Sequence, residues 1–246
     1  MRNIKLTLEY DGTNYSGWQT QKNTPNTIQE KLEKALTSIN KNPVKVYGAG
    51  RTDAGVHALG QTASVMLDVL IPVDRIPMAL NSILPDDIIC SMAESMDMDF
   101  HARYDAVGKK YRYRIYNRMI PSAFSYKYVY YYRPQLNLSL MREAATTLIG
   151  EKDFCAFRAA ACSASNTVKT ITSIEIIDKD PEVWIEIVGS GFLYNMVRII
   201  VGTLIEISSG KIKLEDIDII LKSGDRKLAG YTVPARGLTL VDVYYN

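Results

Sequence analysis

The sequence predicts an α+β fold, and two observations support this prediction. Short segments that alternate apolar and polar residues recur along the chain, as in "IKLTLEY" at 4–10, and a period of two is typical of half-buried strands. Between them lie segments with the helical spacing of apolar residues, as in "TIQEKLEKALTSIN" at 27–40. The 246 residues are enough to bury a substantial core in one large domain or two modest ones.

In the first part of the chain, the pattern predicts one helix among several strands. The opening strand spans 4–10, and the helix at 27–40 places Ile28, Leu32, Ala35, Leu36 and Ile39 on one face. Thr27 and Glu30 have the spacing of a capping box at the start of this helix. Further strands are predicted at 43–50, 61–69, 86–95 and 109–117.

The second part of the chain repeats this organisation. Helices are predicted at 139–150, 196–210 and 213–224, a hairpin at 168–178 and 182–191, and a closing strand at 238–245. The pattern breaks around 117–126. We assign residues 1–105 to an N-terminal α/β half and residues 106–246 to a C-terminal α/β half.

The composition is that of an ordinary globular protein, with 47% hydrophobic residues and a formal net charge of +2. This balance does not exclude nucleic acid, because a basic cleft can coexist with acidic outer faces. Three scattered cysteines, Cys90, Cys155 and Cys162, do not form a disulfide framework and indicate a reducing compartment. We find neither a signal peptide nor an apolar run of the roughly 20 residues that span a bilayer. We therefore expect a cytoplasmic protein with no membrane contact.

The stretch "YGAGRTDAGVHALGQT" at 47–62 concentrates glycines around charged residues. It is not a dinucleotide fingerprint, because Asp53 stands where the third glycine belongs and a strand follows. It also lacks the P-loop pattern. The two histidines, His57 and His101, have no cysteine at a ligand spacing, so we expect no metal, although spacing leaves a carboxylate-only magnesium site open.

Two interpretations of Asp53 remain at this point. Asp53 either caps a turn and pairs with Arg51, or is a reactive group on a loop whose glycines let a ligand approach the backbone. A carboxylate beside an arginine stays ionised. Asp53 is therefore suited to act as a nucleophile or an electrostatic stabiliser and poorly suited to be a general acid.

The stretch "GRTDAGVHALGQ" at 50–61 resembles the active-site motif of the tRNA pseudouridine synthase A family. The resemblance continues, in the family's order, through further blocks at 8–21, 81–88, 100–117, 189–204 and 229–245. It implies an isomerase that converts uridine to pseudouridine at positions 38 to 40 in the anticodon stem-loop of tRNA. It also implies no cofactor, a homodimer, and two α/β halves that share a mixed, mainly antiparallel sheet with a basic active-site cleft between them.

The resemblance also implies roles for individual residues. Asp53 aligns with the family's essential catalytic aspartate, and Tyr111 aligns with the tyrosine that stacks on the uracil. Arg198 aligns with the arginine that pairs with the aspartate, and a charge in the apolar helix at 196–210 needs a partner. Arg51 is expected to contact the RNA backbone or to help extrude the target base. His57 is a further substrate-binding candidate, with bracing of the loop as its alternative.

The segment at 100–117 contains five cations interleaved with aromatic residues: Arg103, Lys109, Lys110, Arg112 and Arg114. Neighbours on a strand point to opposite faces, so only half of those on the strand can face a cleft. Two other functions remain as alternatives. One is a tRNA-binding or tRNA-folding protein without catalysis, and the other is a hydrolase of glycosidic bonds. A paralogue with a narrowed range of tRNA substrates is a third possibility.

Overall fold

The computed structural model describes residues 1–159 and 166–246, and Cys162 lies outside them. These residues form an α+β fold with mixed, mostly antiparallel strand pairing, which confirms the predicted fold class. The helices are α1 (Ile28–Asn40), α2 (Ile76–Asn81), α3 (Leu138–Thr147), α4 (Met196–Ser208) and α5 (Asp216–Ser223). The strands are β1 (Arg2–Tyr10), β2 (Val46–Gly48), β3 (His57–Leu67), β4 (Ile88–Met96), β5 (Gly108–Tyr116), β6 (Tyr130–Tyr131), β7 (Gly150–Asp153), β8 (Val168–Lys179), β9 (Glu182–Gly189) and β10 (Leu238–Tyr244).

The described chain divides into two compact units. Unit 1 comprises residues 1–107 and 239–246, and unit 2 comprises residues 108–238. The end of the chain belongs to unit 1 because β10 pairs in parallel with the start of β3, with Thr239 opposite His57. Within the described ranges, no helix is long and apolar enough to cross a membrane.

Unit 1 is built on strands in the order β4-β1-β3-β10. β1 pairs antiparallel with both β3 and β4, and β2 pairs antiparallel with the C-terminal part of β3. The apolar positions of β1 are fully buried, as their period of two predicts. The helix α1 begins after Thr27, whose side chain accepts a hydrogen bond from the Glu30 amide, and it buries Ile28, Leu32 and Leu36.

Unit 2 is built on antiparallel strands in the order β5-β9-β8-β7, and β6 pairs in parallel with the end of β5. The predicted hairpin is confirmed as β8 and β9. The helix α4 has an almost wholly buried surface, which agrees with its run of apolar residues. The helix α3 lies against β8, where the Arg142 side chain donates a hydrogen bond to the Ile176 carbonyl.

Some boundaries differ from the sequence-based prediction. β2 is shorter than predicted, and β3 begins at His57 rather than at residue 61. β3 starts early because its first residues pair with β10, far along the chain. α2, β6 and β7 were not predicted, since each has six residues or fewer and shows little periodicity.

Candidate active site

Asp53 lies on the short loop between β2 and β3 in unit 1, with its side chain partly exposed. The loop turns tightly, because the Val56 amide donates a hydrogen bond to the Asp53 carbonyl oxygen at 3.1 Å. Arg51 is exposed on the same loop, and the side chain of Thr52 is buried. The loop therefore leaves Arg51 exposed and Asp53 partly exposed, while it anchors Thr52 in the protein.

The segment from Gly12 to Trp18 packs against this loop and fixes its backbone. The Trp18 amide donates to the Thr52 carbonyl at 3.0 Å, and the Gly55 amide donates to the Tyr15 carbonyl at 3.3 Å. Gly17 is required here, because it has a φ of +91° and an added Cβ would lie 2.6 Å from the Thr52 carbonyl oxygen. This contact gives a structural reason for glycine in the block at 8–21.

Gln61 and Tyr10 hold the loop from the side of the sheet. The fully buried amide of Gln61 donates to the Gly50 carbonyl at 2.8 Å and accepts from the Gly50 amide at 3.3 Å. Gln61 also donates to the Tyr10 hydroxyl at 3.3 Å, which lies 2.8 Å from the Thr52 hydroxyl. Burial raises the pKa of Tyr10 to about 12, so the phenol keeps its proton and can donate it to Thr52.

His57 is buried, with 5% of its surface exposed, and accepts a hydrogen bond from the Gly12 amide at Nδ1. A carboxylate oxygen of Asp11 lies 3.1 Å from the same nitrogen. The Gly12 amide and the Asp11 carboxylate thus both approach Nδ1, and the Asp11 contact is an ion pair only when the ring is protonated. These contacts fit the bracing role that was the alternative for His57.

Tyr111 lies on β5 in unit 2 and is 8% exposed. Its ring meets the ring of Phe192 edge-on, with the centroids 5.3 Å apart and the planes at 88°. Tyr113 follows on the same face of the strand, and its hydroxyl donates to the Pro234 carbonyl at 2.8 Å. The Tyr111 ring is thus held in a fixed orientation on a regular strand.

Most cations of β5 lie on the face opposite Tyr111 and are paired with carboxylates of β9. Lys110 and Arg112 contact Glu186 at 2.5 and 2.6 Å, and Arg114 contacts Glu182 at 2.7 Å. Burial alone would raise the pKa of Glu186, but hydrogen bonds from Lys110 and Arg112 outweigh it and hold the pKa below its usual range. Of the strand cations that the sequence singled out, only Lys109 shares the face of Tyr111.

Arg198 lies in the first turn of α4, partly buried, and the loop at 229–234 fixes its guanidinium. Nε donates to the Val233 carbonyl at 2.7 Å, and Nη1 donates to the Asn195 side chain at 2.7 Å. The loop reaches the helix because Gly202 leaves room for it: an added Cβ would lie 1.9 Å from the Tyr231 carbonyl oxygen. Val233 and Pro234 thus connect Arg198 to the strand of Tyr111, through the hydroxyl of Tyr113.

The described residues include no cluster suited to a metal ion, and the surface pocket in unit 2 involves none of the predicted site residues. Within residues 1–159 and 166–246, no group of three or more histidine, cysteine or acidic residues is placed to hold a metal ion. A surface pocket of about 470 Å³ in unit 2 is lined by residues that include Arg118, Arg133, Asp178 and Glu182. None of the residues that we predicted to act on substrate lines this pocket.

Comparisons with known proteins identify the family. A family model described as tRNA pseudouridine synthase matches residues 7–105 and 144–246. The tRNA pseudouridine synthase A of Acetivibrio thermocellus is 51% identical over 245 residues, and that of Ruminiclostridium cellulolyticum is 48% identical over 246 residues; both matches cover 100% of each chain. A protein of Clostridium tetani named tRNA pseudouridine synthase A 2 is 48% identical over 246 residues, which cover 100% of this chain and 99% of that one.

The chain therefore belongs to the tRNA pseudouridine synthase family, and it is an enzyme of the isomerase class. This confirms the resemblance found in the sequence motifs. Among solved structures, a chain of a Cbf5–Nop10–Gar1 complex matches with a TM-score of 0.39 and 12% identity, covering 96% of this chain and 48% of that chain. This chain thus spans about half the length of that one.

Proposed function

We propose that this enzyme isomerises uridine to pseudouridine at positions 38 to 40 of the tRNA anticodon stem-loop, with Asp53 as the essential catalytic residue. The observation that carries the proposal is the environment of Asp53 in a chain of this family. Its side chain is partly exposed, while Gln61, Trp18 and Gly55 fix the backbone around it through hydrogen bonds. A catalytic group needs this combination of access and fixed position.

The reaction breaks the N1–C1′ bond, turns the detached uracil and joins C5 to C1′. The proton on C5 then leaves, and N1 gains one, so atoms and charge balance. The carboxylate of Asp53 has three available roles: attack on C1′, addition to C6 and removal of the 2′ proton. Each role needs an ionised carboxylate close to the ribose or to the base.

Tyr111 and Arg198 are the proposed partners of Asp53 in the reaction. The Tyr111 ring, held edge-on by Phe192, is suited to stack on the uracil. Arg198 supplies a cation, and a cation close to a carboxylate favours the ionised form of that carboxylate. Hydrogen bonds to Val233 and Asn195 orient the guanidinium. This supports the proposal that the charge of Arg198 is held in a fixed position rather than directed to solvent. Arg51 is the proposed contact to the RNA, and His57 remains a candidate of lower rank.

The partner that we propose is tRNA, bound through its anticodon stem-loop by a homodimer in the cytoplasm. The family name of the relatives supports the tRNA substrate. We propose no cofactor and no metal, because the carboxylate chemistry described above needs neither.

Release of tritium from tRNA labelled at uridine C5 tests the proposal directly. We expect the wild type to release tritium and Asp53→Asn to release none above background. Asp68→Asn is the matched control, since Asp68 is an exposed aspartate of unit 1 bonded to the chain N-terminus, and it should retain full activity. No release by the wild type would refute the function. Equal release by Asp53→Asn would refute the catalytic assignment.

A further inference from the structure

Five side chains of unit 1, which the catalytic site does not include, form a row of three rings with a cation at each end. The rings are Tyr47, His101 and Tyr104: the His101 ring lies 4.8 Å from that of Tyr47 and 4.3 Å from that of Tyr104. Lys45 lies 5.2 Å from the Tyr47 ring centre and Arg103 lies 5.8 Å from that of Tyr104. We call this row the aromatic ladder.

The aromatic ladder is exposed to solvent. Tyr104 has 75% of its surface exposed and Tyr47 has 41%, and both cations are exposed as well. Large aromatic side chains normally bury most of their surface. An exposed row of rings flanked by cations therefore marks a surface that binds something.

The backbone under the ladder is fixed by hydrogen bonds. Ser64 on β3 is the cross-strand partner of Tyr47, and its hydroxyl accepts from the Ala102 amide at 3.1 Å. The Ala102 carbonyl accepts from the Tyr245 hydroxyl at 2.6 Å, and Asn3 donates to the Phe100 carbonyl at 2.8 Å. The turn that includes His101 and Tyr104 is thus held against β3 and β1 before any ligand binds.

Local contacts within the turn leave the ladder available. The Asp105 carboxylate accepts a hydrogen bond from the His101 amide at 2.7 Å, so it is engaged in the turn. Nδ1 of His101 accepts from the Arg103 amide at 3.1 Å, which leaves Nε2 to carry the proton of the neutral ring. The ladder then offers flat ring faces, one N–H donor and two cations.

We infer that the aromatic ladder binds unpaired nucleotides of the anticodon loop, with bases stacked on the rings and phosphates near Lys45 and Arg103. This inference rests on the proposed function, which supplies the RNA. A row of rings flanked by cations suits single-stranded RNA, because bases stack on aromatic side chains while the cations neutralise phosphates. A rigid platform also lowers the entropic cost of binding.

The position of the ladder in the chain agrees with this ligand. Tyr47 precedes Asp53 by only six residues. Even a fully extended segment of that length spans only about 20 Å. Nucleotides on the ladder therefore lie within a short stretch of RNA from a uridine at Asp53.

The test compares the affinity of the full chain and its variants for a fluorescent anticodon stem-loop RNA. Tyr47→Ala/Tyr104→Ala should raise the Kd about tenfold or more, since each base stack accounts for a factor of that size. Tyr47→Phe/Tyr104→Phe keeps both rings and should bind like the wild type. Phe124→Ala/Tyr126→Ala is the matched control, because it removes two exposed rings of unit 2 and should leave the Kd unchanged.

Two further measurements separate stacking from charge. Arg103→Gln should lower the slope of log Kd against log salt by about 0.7, as expected for one phosphate contact on a single strand, whereas the tyrosine variants should leave the slope unchanged. With an RNA whose loop nucleotides are abasic, the wild type and the double alanine variant should bind equally. In steady-state turnover, the Tyr47→Ala/Tyr104→Ala variant should have a higher KM than the wild type and the same kcat at saturating tRNA.

A double alanine variant that binds within twofold of the wild type would overturn the inference, as would an equal loss in the Phe124→Ala/Tyr126→Ala control. Thermal unfolding at an unchanged temperature verifies that the variants are folded. Tritium release by the wild type is measured in parallel. If the wild type releases tritium while Tyr47→Ala/Tyr104→Ala binds RNA normally, only the ladder inference fails. If the wild type releases no tritium, the proposed function fails, and the Kd comparison still decides whether the ladder binds RNA.

Discussion

Replacement of Gln61 by methionine should show how far the proposed catalysis by Asp53 depends on the position of the loop that carries it. Methionine matches glutamine in length and is apolar, so the buried site remains filled. The change removes the two hydrogen bonds to the backbone of Gly50 and the bond to the Tyr10 hydroxyl. Since Gln61 is on β3 and Gly50 begins the loop, the substitution frees the loop at its entry while Asp53 is retained.

The magnitude follows from these three hydrogen bonds. Each contributes about 1 kcal/mol net, and an unpaired backbone group that stays buried adds about 1–3 kcal/mol. We therefore expect the free energy of unfolding of unit 1 to fall by about 3–6 kcal/mol, the upper end applying if a backbone group of Gly50 stays buried and unpaired. A displacement of a catalytic group by about 1 Å costs roughly 100-fold in rate, so kcat should fall by that factor with a smaller change in KM.

Gln29→Met is the matched control for this experiment. Gln29 is also a buried glutamine of unit 1, and its side chain bonds Gln19, the Thr20 amide, Glu33 and the Val46 carbonyl. None of these partners belongs to the loop around Asp53, so the control should lose comparable stability and keep its kcat. The assays are urea unfolding and steady-state tritium release at saturating tRNA. Equal kcat values for the two variants would refute the positioning role of Gln61.

Three further predictions concern other parts of the chain. Glu186→Gln should cost about 2 kcal/mol at pH 7. The pKa of Glu186 is lower in the folded state than in the unfolded state. Its stabilisation is therefore present above the unfolded pKa of about 4.3 and is lost as pH falls through the folded pKa. The free energies of unfolding at pH 7 and pH 3, measured with urea, should therefore differ less in the variant than in the wild type. Gly202→Ala forces the Tyr231 carbonyl away, so it should lower the free energy of unfolding by about 1–3 kcal/mol and kcat at least tenfold. Gly191→Ala is the control: an added Cβ meets open space there, so stability and kcat should not change. Burial raises the pKa of the Cys90 thiol to about 12, so a thiol reagent at pH 8 should label Cys90 only after unfolding, as peptide mapping would show.

The elements that the sequence predicted well are those whose signals are local. α1 has a capping threonine and an apolar face, and the β8–β9 hairpin has alternating residues on both strands. β6 could not be predicted, because its two residues are a strand only through pairing with β5. The early start of β3 likewise depends on β10, which lies about 180 residues further along the chain. Pairing between distant segments leaves no periodic pattern in either of them.

The same distinction applies to the candidate site. Asp53 could be singled out because a carboxylate beside an arginine on a glycine-rich loop is unusual in itself. The roles of Gln61 and Tyr10 could not be predicted from the sequence, since a buried glutamine and a strand tyrosine have no distinctive local pattern. Their function becomes visible only through hydrogen bonds to Gly50 and Thr52. The fixation of Arg198 by Val233 also depends on a backbone contact about 35 residues away.

The distribution of charge explains how a chain with a net charge of only +2 can suit an RNA substrate. The strand β5 contains the densest run of cations, yet Lys110, Arg112 and Arg114 are paired with two carboxylates of β9, Glu182 and Glu186. Such paired charges attract phosphates weakly, because the neighbouring carboxylates repel them. Lys45, Arg51 and Arg103 of unit 1 are instead exposed, and all three belong to the motifs around Asp53 and the aromatic ladder. The number of cations therefore predicts RNA contact less well than the position of the carboxylates. We expect the slope of log Kd against log salt to fall on neutralising Arg103 and to change little on neutralising Arg114.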